Sequence, residues 1–354
     1  VSLAPPSVLD PEAIHTILYT SGTTGRPKGA MLTNGNHLAS ATGSRRRLGV
    51  RRDDCWLALL PLYHVGGLSI LLRSVLDEAP VVLQSGFDAA RADRTIREGH
   101  VTLVSVVPTM LQRMVDENGS PQRLRCLLVG GGPTPTILLD RATADGFPVA
   151  PTYGLTEAAS QVATAACGEA RARPRSSGRP LPGTSVRIDA PDGDGLGEVL
   201  VRGPTVMAGY FRAPEATAEA LSDGWLHTGD VGRLDDEGFL YVYERRRDLI
   251  ISGGENVYPA EVEAVLLAHP DVREAAVYSL PDPEWGQRVA AAVILRERGS
   301  ADVACLRSWC ARHLARFKIP RSLELVSELP RTASGKVRRH ELGLRRECSR
   351  GHHS

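Results

Sequence analysis

The ten residues at positions 20–29 read TSGTTGRPKG and combine four hydroxyl side chains, three glycines and one lysine. They follow an apolar, β-branched run at positions 13–19, which is typical of a buried strand. A glycine-rich loop after a strand leaves backbone N–H groups accessible, and the hydroxyls and the lysine add further donors and positive charge. The stretch therefore predicts a polyphosphate site at the end of a strand. A flexible polar linker is the alternative, but such linkers rarely follow a buried strand.

The stretch differs from the common phosphate loop, in which a glycine and four further residues precede Gly-Lys-Ser/Thr. No such triplet follows Gly22 or Gly25 at the required distance. We therefore expect a polyphosphate site of another type.

Length, charge and cysteine spacing limit the class of protein. The 354 residues suffice for about two domains at roughly 150 residues each. The 42 basic against 41 acidic residues give a net charge of +1, which argues against a broad nucleic-acid surface. No apolar run approaches the roughly 20 residues of a membrane helix. The six cysteines lack Cys-x-x-Cys spacing, so they indicate neither a zinc site nor a redox pair and fit a reducing cytoplasm.

Residues 33–49 are predicted to form a helix that is capped by Thr33 or Asn34. Apolar strand-like runs alternate with helical stretches over 33–153, which indicates a large α/β domain with largely parallel strands. Short β-like runs punctuated by Gly, Pro and Asp over 178–243 indicate a β-rich, more antiparallel subdomain. A second pattern of strands and helices covers 248–334. The predicted organisation is a large N-terminal domain at 1–244, a hinge at 245–248, a small mobile C-terminal α+β domain at 249–340 and a tail at 341–354.

The pattern at 20–29 resembles the phosphate-binding signature of the adenylate-forming superfamily of acyl-CoA synthetases, luciferases and adenylation domains. Five further segments resemble motifs of that superfamily in the same order, so the resemblance extends to Lys336 and covers nearly the whole chain. It implies ATP, Mg²⁺ and the co-substrate CoA as ligands. In the phosphate loop it assigns nucleotide binding to Thr20, Ser21, Gly22, Thr23, Thr24, Gly25 and Lys28.

The segment PTYGLTE at 151–157 follows an apolar strand and carries a second group of candidates. Tyr153 offers a flat ring and Gly154 a close backbone approach, while Thr156 and Glu157 offer hard oxygen ligands at the start of a helix. One carboxylate beside phosphates is a usual setting for Mg²⁺, although a helix-start charge is the alternative reading of Glu157. By resemblance, Tyr153 stacks on adenine, Glu157 holds Mg²⁺ and Thr156 joins the catalytic residues.

Three glycines at 130–132 end another strand, where open α/β sheets bind ligands, and a simple tight turn is the alternative. The resemblance assigns Gly131 and Gly132 to the adenine pocket. It assigns Asp230 and Arg245 to the ribose.

The C-terminal part contributes two loops by the same resemblance. Gly253 and Gly254 line the pantetheine tunnel of the second half-reaction, and Lys336 bridges the substrate carboxylate and the α-phosphate. A solvated surface lysine is the alternative for Lys336. The hinge has Glu244 and Arg247 where the superfamily commonly has Gly and Asp or Lys, which leaves the balance between domain orientations open.

The acyl substrate is predicted from the stretch PLYHVGGLSILLRSV, in which His64 stands where amino-acid adenylation domains carry an aspartate. With SGGENVYP and ELPRTASGK, this stretch resembles the o-succinylbenzoate–CoA ligase family of menaquinone biosynthesis. Such a substrate has a second carboxylate, which needs polar or cationic partners; the candidates are Ser69, Arg73, Ser160 and Gln161. A structural ion pair is the alternative for Arg73. His64 either gates the acyl pocket or is a core histidine.

The predicted function is an AMP-forming acid–CoA ligase that acts through an acyl-adenylate and then a CoA thioester, with o-succinylbenzoate as substrate. Only 19 residues precede the phosphate loop, whereas the superfamily has a substantial α/β region there. The alternatives are another acyl- or aryl-CoA ligase and a nucleotide-binding fragment without turnover. The expected partners are a carboxylic acid, ATP and CoA, without nucleic acid or a membrane span, and a homo-oligomer stays open.

Overall fold

The computed structural model describes residues 9–20, 27–117, 121, 123–132, 134–245, 250–252, 255–297, 299–331, 337–339 and 341–342. Contacts divide the chain into two compact units, of which the first is Val1–Thr134 with Leu138–Val242 and the second is Pro135–Ile137 with Tyr243–Ser354. The hinge at 245–248 stays a prediction.

The helices and strands follow one another in the order that an α/β chain requires. The helices are α1 (Asn34–Leu48), α2 (Val65–Asp77), α3 (Ala89–Glu98), α4 (Pro108–Asp116), α5 (Thr136–Ala144), α6 (Pro214–Ala220), α7 (Pro259–Leu267) and α8 (Val303–His313). The strands up to residue 164 are β1 (Ile14–Thr20), β2 (Lys28–Thr33), β3 (Trp56–Ala58), β4 (Val81–Leu83), β5 (Leu103–Val106), β6 (Cys126–Val129), β7 (Val149–Leu155) and β8 (Ser160–Thr164). The strands from residue 179 to 245 are β9 (Arg179–Pro180), β10 (Ser185–Asp189), β11 (Gly197–Arg202), β12 (Gly209–Tyr210), β13 (Leu221–Ser222), β14 (Trp225–Leu234) and β15 (Leu240–Arg245). The remaining strands are β16 (Ile250–Ser252), β17 (Glu255–Val257), β18 (Val272–Asp282), β19 (Gly286–Leu295) and β20 (Ser322–Leu325).

A seven-stranded sheet in the order β4-β3-β5-β6-β7-β8-β9 forms the centre of the first unit. The pairs from β4 to β7 are parallel, and β8 and β9 are antiparallel additions. Apolar side chains fill both faces of this sheet, with Leu57, Val104 and Leu127 in one cluster and Trp56 and Leu128 in another. The predicted α/β alternation is confirmed. The carboxyl ends of β5, β6 and β7 meet at one edge, where ligands bind in sheets of this kind.

The helix predicted over 33–49 is confirmed as α1, and its start is fixed by a capping box. The Thr33 hydroxyl accepts from the Asn36 backbone N–H at 3.1 Å, and the Asn36 side chain accepts from the Thr33 N–H at 2.9 Å. Because β2 ends at Thr33, this cap holds the start of α1 directly behind the strand that carries Lys28.

The remaining strands of the first unit are antiparallel, as predicted for the β-rich subdomain. One sheet has the order β10-β11-β14-β13 with β15 on β14, and a smaller sheet has the order β1-β2-β12. The prediction that β1 is buried is wrong, because β1 is an edge strand and Ile14, Ile17 and Tyr19 are exposed. Leu18 packs into the core. An apolar run alone does not distinguish a buried strand from an edge strand.

The second unit has a sheet in the order β17-β16-β19-β18, with β20 parallel to β19. Val262 and Leu266 of α7 and Leu306 of α8 pack on Val277 and Val293 of this sheet. This arrangement confirms the small α+β domain predicted for the C-terminal part. Among the described residues, no helix combines the length and apolar character needed to cross a membrane.

The structure contains a disulfide that the cysteine spacing did not indicate. The sulfur atoms of Cys126 at the start of β6 and Cys167 after β8 are joined in a disulfide, although the two residues are separated by 41 positions. The pairing of β6, β7 and β8 brings them together across the sheet, which cysteine spacing in the sequence does not reveal.

Candidate functional site

The two ends of the predicted phosphate loop face each other across an antiparallel strand pair. Thr20, the last residue of β1, pairs with Lys28, the first residue of β2, and the Thr20 hydroxyl donates to the Lys28 carbonyl at 3.4 Å. The loop that joins these ends contains Ser21, Gly22, Thr23, Thr24 and Gly25, which lie outside the described residues. The strand pair fixes both ends of this loop at one point of the first unit.

The Glu157 side chain contacts Thr20 at one end of this loop. Its Oε1 accepts a hydrogen bond from the Thr20 hydroxyl at 3.4 Å and one from the Tyr210 hydroxyl at 2.9 Å. The Lys28 Nζ lies 5.3 Å from the centre of the Tyr210 ring, within the range of a cation–π contact. A carboxylate, two hydroxyls and an ammonium group are thus gathered from four separate parts of the chain.

The local structure around Glu157 differs from the sequence prediction. Thr156 and Glu157 begin a 3₁₀ turn that spans Thr156–Ala158, and strand β8 follows it where a helix was expected. The turn ends at Ala159 and Ser160, whose φ angles of 50° and 98° are in the left-handed region. The chain therefore reverses directly after Glu157, which keeps this carboxylate at the end of β7.

The residues around Glu157 fit a Mg²⁺ ion that is shared with phosphates. Mg²⁺ prefers oxygen ligands, and protein sites often supply one or two carboxylates while substrate phosphates and waters complete the shell. Glu157 supplies one carboxylate. Within the described part of the chain, no group of three or more His, Cys, Asp or Glu side chains is arranged to hold a metal ion by itself. The chemistry of this donor set thus matches a nucleotide-bound ion better than a closed protein cage.

Two residues predicted to bind the nucleoside are joined by a hydrogen bond. The Tyr153 hydroxyl, on β7, donates to the Asp230 carboxylate, on β14, at 2.6 Å. Asp230 is buried, and its backbone N–H donates to the Thr228 hydroxyl at 3.0 Å. The ring assigned to adenine and the carboxylate assigned to ribose therefore lie side by side, as one nucleoside would require.

Glycines shape the neighbouring edge of the sheet for two different reasons. Gly131 has a φ of 80°, so the turn after β6 requires a left-handed residue, while Gly132 is exposed and open space surrounds the position of its absent Cβ. A Cβ on Gly154 would lie 1.7 Å from the Ser160 carbonyl oxygen. The absence of a side chain at Gly154 is thus required by the strand return from β7 to β8, a reason that the sequence did not indicate.

Three of the four predicted acyl-pocket residues form one cluster. Ser69 and Arg73 are one helical turn apart on α2, which points them to the same side. The Ser69 hydroxyl donates to the Ser160 Oγ at 3.4 Å, and an Arg73 Nη2–H donates to the same Oγ at 3.3 Å. Gln161 does not join them by a hydrogen bond; its amide donates to the Thr164 hydroxyl at 2.9 Å.

Arg73 is a buried cation with unused hydrogen-bonding capacity. Its residue surface is 2% exposed, and its Nε–H has no hydrogen-bond partner among the described residues. Burial lowers the pKa of the Arg73 guanidinium to about 10, against the opposing effect of the Asp77 carboxylate. The side chain therefore remains charged at neutral pH. A buried charge of this kind gains most from an anionic partner.

His64 lies at the start of the same helix, and its role stays a prediction. Its carbonyl accepts the Leu68 N–H at 3.0 Å as the cap of α2. Its ring is half-buried and lies 4.6 Å from the ring of Tyr63, between centres. Both the gating role and the core role are compatible with this position.

Some predicted residues lie outside what the structure describes. They are Gly253, Gly254 and Lys336 and the side chain of Arg245. Their assignments stay predictions. In the described part, the residue that sequence reasoning missed is Tyr210, which contacts Glu157 and Lys28 through a strand pairing that has no local sequence signal.

Comparisons with known proteins identify the family of this chain. Residues 2–211 match the AMP-binding enzyme family, and residues 261–336 match the AMP-binding enzyme C-terminal domain. The chain is 51% identical over 341 residues to a 2-succinylbenzoate–CoA ligase of Geobacillus kaustophilus, covering 94% of this chain and 69% of that protein. A 2-succinylbenzoate–CoA ligase of Bacillus cereus is 46% identical over 341 residues, covering 94% of this chain and 70% of that protein.

Solved structures of other proteins share this fold. The o-succinylbenzoate CoA synthetase (MenE) of Bacillus subtilis, in complex with the acyl-adenylate intermediate OSB-AMP, superposes with a TM-score of 0.88 at 43% identity, covering 94% of this chain and 70% of that chain. Its complex with ATP and magnesium ion gives a TM-score of 0.87 at 43% identity over the same shares. ATP-bound MatB of Rhodopseudomonas palustris gives 0.89 at 30% identity, covering 95% of this chain and 69% of that chain. The family match, the relatives at 46–51% identity and the shared fold together establish that this chain belongs to the AMP-binding enzyme family.

Proposed function

We propose that this protein is an ATP-dependent ligase that joins 2-succinylbenzoate to CoA through an acyl-adenylate. The observation that carries the choice of acid is the buried Arg73 beside Ser69 and Ser160, in a chain whose relatives at 46–51% identity are named 2-succinylbenzoate–CoA ligases. One carboxylate of this acid is activated, and the other needs a partner inside the protein. A buried arginine with an unused Nε–H supplies that partner.

The reaction divides into two steps. A carboxylate oxygen attacks the α-phosphorus of ATP, an acyl–phosphate bond forms, and pyrophosphate leaves with the electron pair of the broken P–O bond. The sulfur of CoA then attacks the acyl carbon, the thiol proton is released, and AMP leaves. Neither step needs a covalent nucleophile on the protein, so the chain acts by positioning and by charge stabilisation.

The nucleotide contacts follow from the described geometry. Tyr153 and Asp230 would bind the adenosine, with Gly131 and Gly132 beside the base. Lys28 and the loop after Thr20 would hold the departing pyrophosphate. Glu157 would hold Mg²⁺, which neutralises phosphate charge when bound.

The C-terminal unit would supply the groups that differ between the two steps. Lys336 would stabilise the charge that develops between the acid and the α-phosphate, and Arg245 would contact the ribose. Gly253 and Gly254 would line the path of the pantetheine arm. A rotation at 245–248 would exchange these loops.

The proposed location is the cytoplasm, where ATP and CoA are available.

The test is CoA-dependent formation of AMP from ATP, with 2-succinylbenzoate beside benzoate and a medium-chain fatty acid. We expect the highest kcat/KM with 2-succinylbenzoate. A preference for either other acid would favour another ligase of the family. Binding of ATP without pyrophosphate release for any acid would favour a nucleotide-binding protein without turnover.

A further inference from the structure

Tyr210 is held by the same strand that carries the phosphate-loop lysine. Tyr210 pairs with Ala30 in the register of β12 with β2, and the next residue, Phe211, donates its backbone N–H to the Gly29 carbonyl at 2.7 Å. Lys28 begins that strand. The position of the Tyr210 ring is thus tied by backbone hydrogen bonds to the strand that closes the phosphate loop.

The side chain of Tyr210 contacts two groups of opposite charge. Its hydroxyl donates to the Glu157 Oε1 at 2.9 Å, and its ring centre lies 5.3 Å from the Lys28 Nζ. The three side chains are all half-buried, so solvent screens these contacts less than at an open surface. The hydrogen bond from the Tyr210 hydroxyl, together with the longer one from the Thr20 hydroxyl to the same oxygen at 3.4 Å, restrains the rotation of the Glu157 carboxylate and with it the direction of the other oxygen.

We propose that Tyr210 is a positioning residue that orients the Glu157 carboxylate toward the metal of the bound nucleotide and holds the Lys28 ammonium group over its own ring. The inference rests on the proposed function and extends it to a residue outside the segments that were predicted from the sequence. Groups that hydrogen-bond a metal-binding carboxylate are expected to set its geometry, and their loss lowers metal affinity by roughly 10- to 100-fold. The ring adds a cation–π contact that places the lysine.

The alternative is that Tyr210 only fills space, since it also packs against the apolar cluster that contains Leu32 and Met207. Two substitutions separate these readings. Tyr210→Phe keeps the ring and the packing but removes the hydroxyl. Tyr210→Leu removes the hydroxyl and the ring.

Tyr241 offers a matched control within the same unit. Its hydroxyl donates to the Asp235 carboxylate at 3.2 Å, and the Arg233 guanidinium lies 4.3 Å from its ring centre. Tyr241→Phe therefore removes a tyrosine–carboxylate hydrogen bond next to a cation–π contact, but away from Glu157. This variant shows how much the loss of one such hydrogen bond affects the fold in general.

Binding is measured without turnover. Mn²⁺ affinity is titrated by electron paramagnetic resonance in the presence of α,β-methylene-ATP, and pyrophosphate affinity is measured by calorimetry without metal. We expect Tyr210→Phe to weaken Mn²⁺ binding about tenfold or more and to leave metal-free pyrophosphate binding within about twofold. Tyr210→Leu should weaken both. Tyr241→Phe should change neither.

A second measurement asks whether Tyr210 acts through Glu157. In the Glu157→Gln background, adding Tyr210→Phe should change Mn²⁺ affinity by less than about twofold, because the two losses are not additive when one group acts through the other. An equal loss in both backgrounds would overturn the positioning role.

Further outcomes would also overturn the inference. If Tyr210→Phe binds Mn²⁺ as tightly as the wild type, Tyr210 does not position the metal ligand. If Tyr210→Leu and Tyr210→Phe bind pyrophosphate equally tightly, Tyr210 does not position Lys28. Equal losses in Tyr210→Phe and Tyr241→Phe would show a general effect on the fold. If the wild-type protein binds no Mn²⁺ with the ATP analogue, the proposed function fails first, and the inference fails with it.

Discussion

Replacing Arg73 by methionine tests the choice of substrate most directly. Methionine is close to arginine in length and keeps the packing of α2, but it removes the charge and every N–H donor. Ser69 and Ser160 remain as neutral hydroxyl partners. The expected result is a large loss of activity toward 2-succinylbenzoate and a small change toward an analogue with one carboxylate.

The magnitude follows from the burial of the site. Arg73 is 2% exposed, and its pKa of about 10 keeps it charged at neutral pH, so the second carboxylate of the acid would form a poorly screened ion pair with it. Removing one member of a buried, hydrogen-bonded charge pair costs about 2–5 kcal/mol. At 1.36 kcal/mol per factor of ten, this is a loss of roughly 30- to 5000-fold in kcat/KM. The Ser69 hydroxyl donates to the Gly66 carbonyl at 3.1 Å, but the Ser160 hydroxyl can still donate to the carboxylate, so we expect the lower half of this range.

The assay compares kcat/KM for 2-succinylbenzoate with that for 4-oxo-4-phenylbutanoate, which lacks the ring carboxylate. Arg73→Met should lower the first value and leave the second within about threefold, so that discrimination between the two acids disappears. Arg73→Lys keeps a charge with fewer donors and should give an intermediate loss.

Arg45→Met is the matched control for damage to the helix. Arg45 Nε donates to the Asp77 Oδ1 at 2.5 Å, and the Arg45 side chain is 47% exposed, so this variant disturbs the carboxylate that also faces Arg73 without touching the acyl cluster. It should keep the discrimination between the acids. Equal losses of kcat/KM for both acids in Arg73→Met would refute the reasoning and would indicate that Arg73 forms a structural ion pair instead. Unchanged activity toward 2-succinylbenzoate would refute it as well.

Three further predictions concern the nucleotide and the two half-reactions. Lys28→Ala should weaken pyrophosphate binding in calorimetry while the melting temperature stays unchanged, because the lysine lies at the entrance of a loop; unfolding or wild-type adenylation would contradict the assignment. Glu157→Gln should raise the Mg²⁺ concentration needed for half-maximal adenylation about tenfold or more, since a neutral amide is a poorer ligand for a hard cation, and an unchanged titration would make Glu157 a structural charge. Lys336→Ala should block acyl-adenylate formation and spare thioester formation from supplied acyl-adenylate, and Gly254→Leu should do the reverse because a side chain fills the tunnel. Single-turnover kinetics of both halves measure this, and equal losses in both halves for both variants would contradict domain alternation.

Helices with local start and stop signals were predictable from the sequence. The helix predicted at 33–49 is observed as Asn34–Leu48, because Thr33 and Asn36 form a capping box within four residues and Gly49 follows the last turn. The alternation of strands and helices likewise follows from local periodicity. Features of this kind need no information about distant parts of the chain.

The burial of β1 was not predictable in the same way. Its run of apolar and β-branched residues is the same whether the strand lies in the middle of a sheet or at an edge, and the structure makes it an edge. The contact of Tyr210 with Glu157 spans 53 residues of sequence and depends on the pairing of β12 with β2. Such contacts are set by sheet order, which no local pattern encodes.

The turn between β7 and β8 contains residues that the sequence predicted in an arrangement that it did not predict. Sequence reasoning treated Tyr153 and Glu157 as one nucleotide motif and Ser160 as a separate acyl-pocket candidate. The structure joins them in one turn, because Gly154 lies against the Ser160 carbonyl and the Ser40 hydroxyl donates to the Ala159 carbonyl at 2.6 Å.

The left-handed backbone at Ala159 and Ser160 reverses the chain within this turn. The reversal turns the Ser160 hydroxyl toward Arg73 while the Glu157 carboxylate remains with Tyr210. Backbone strain of this kind persists only where the surrounding structure fixes it, and it concentrates at functional sites. The end of β7 and the short turn after it thus carry the residues proposed to contact adenine, the metal and the acid. If these proposed contacts are correct, this turn lies beside both reacting groups, and a backbone conformation fixed by its surroundings would help to position them.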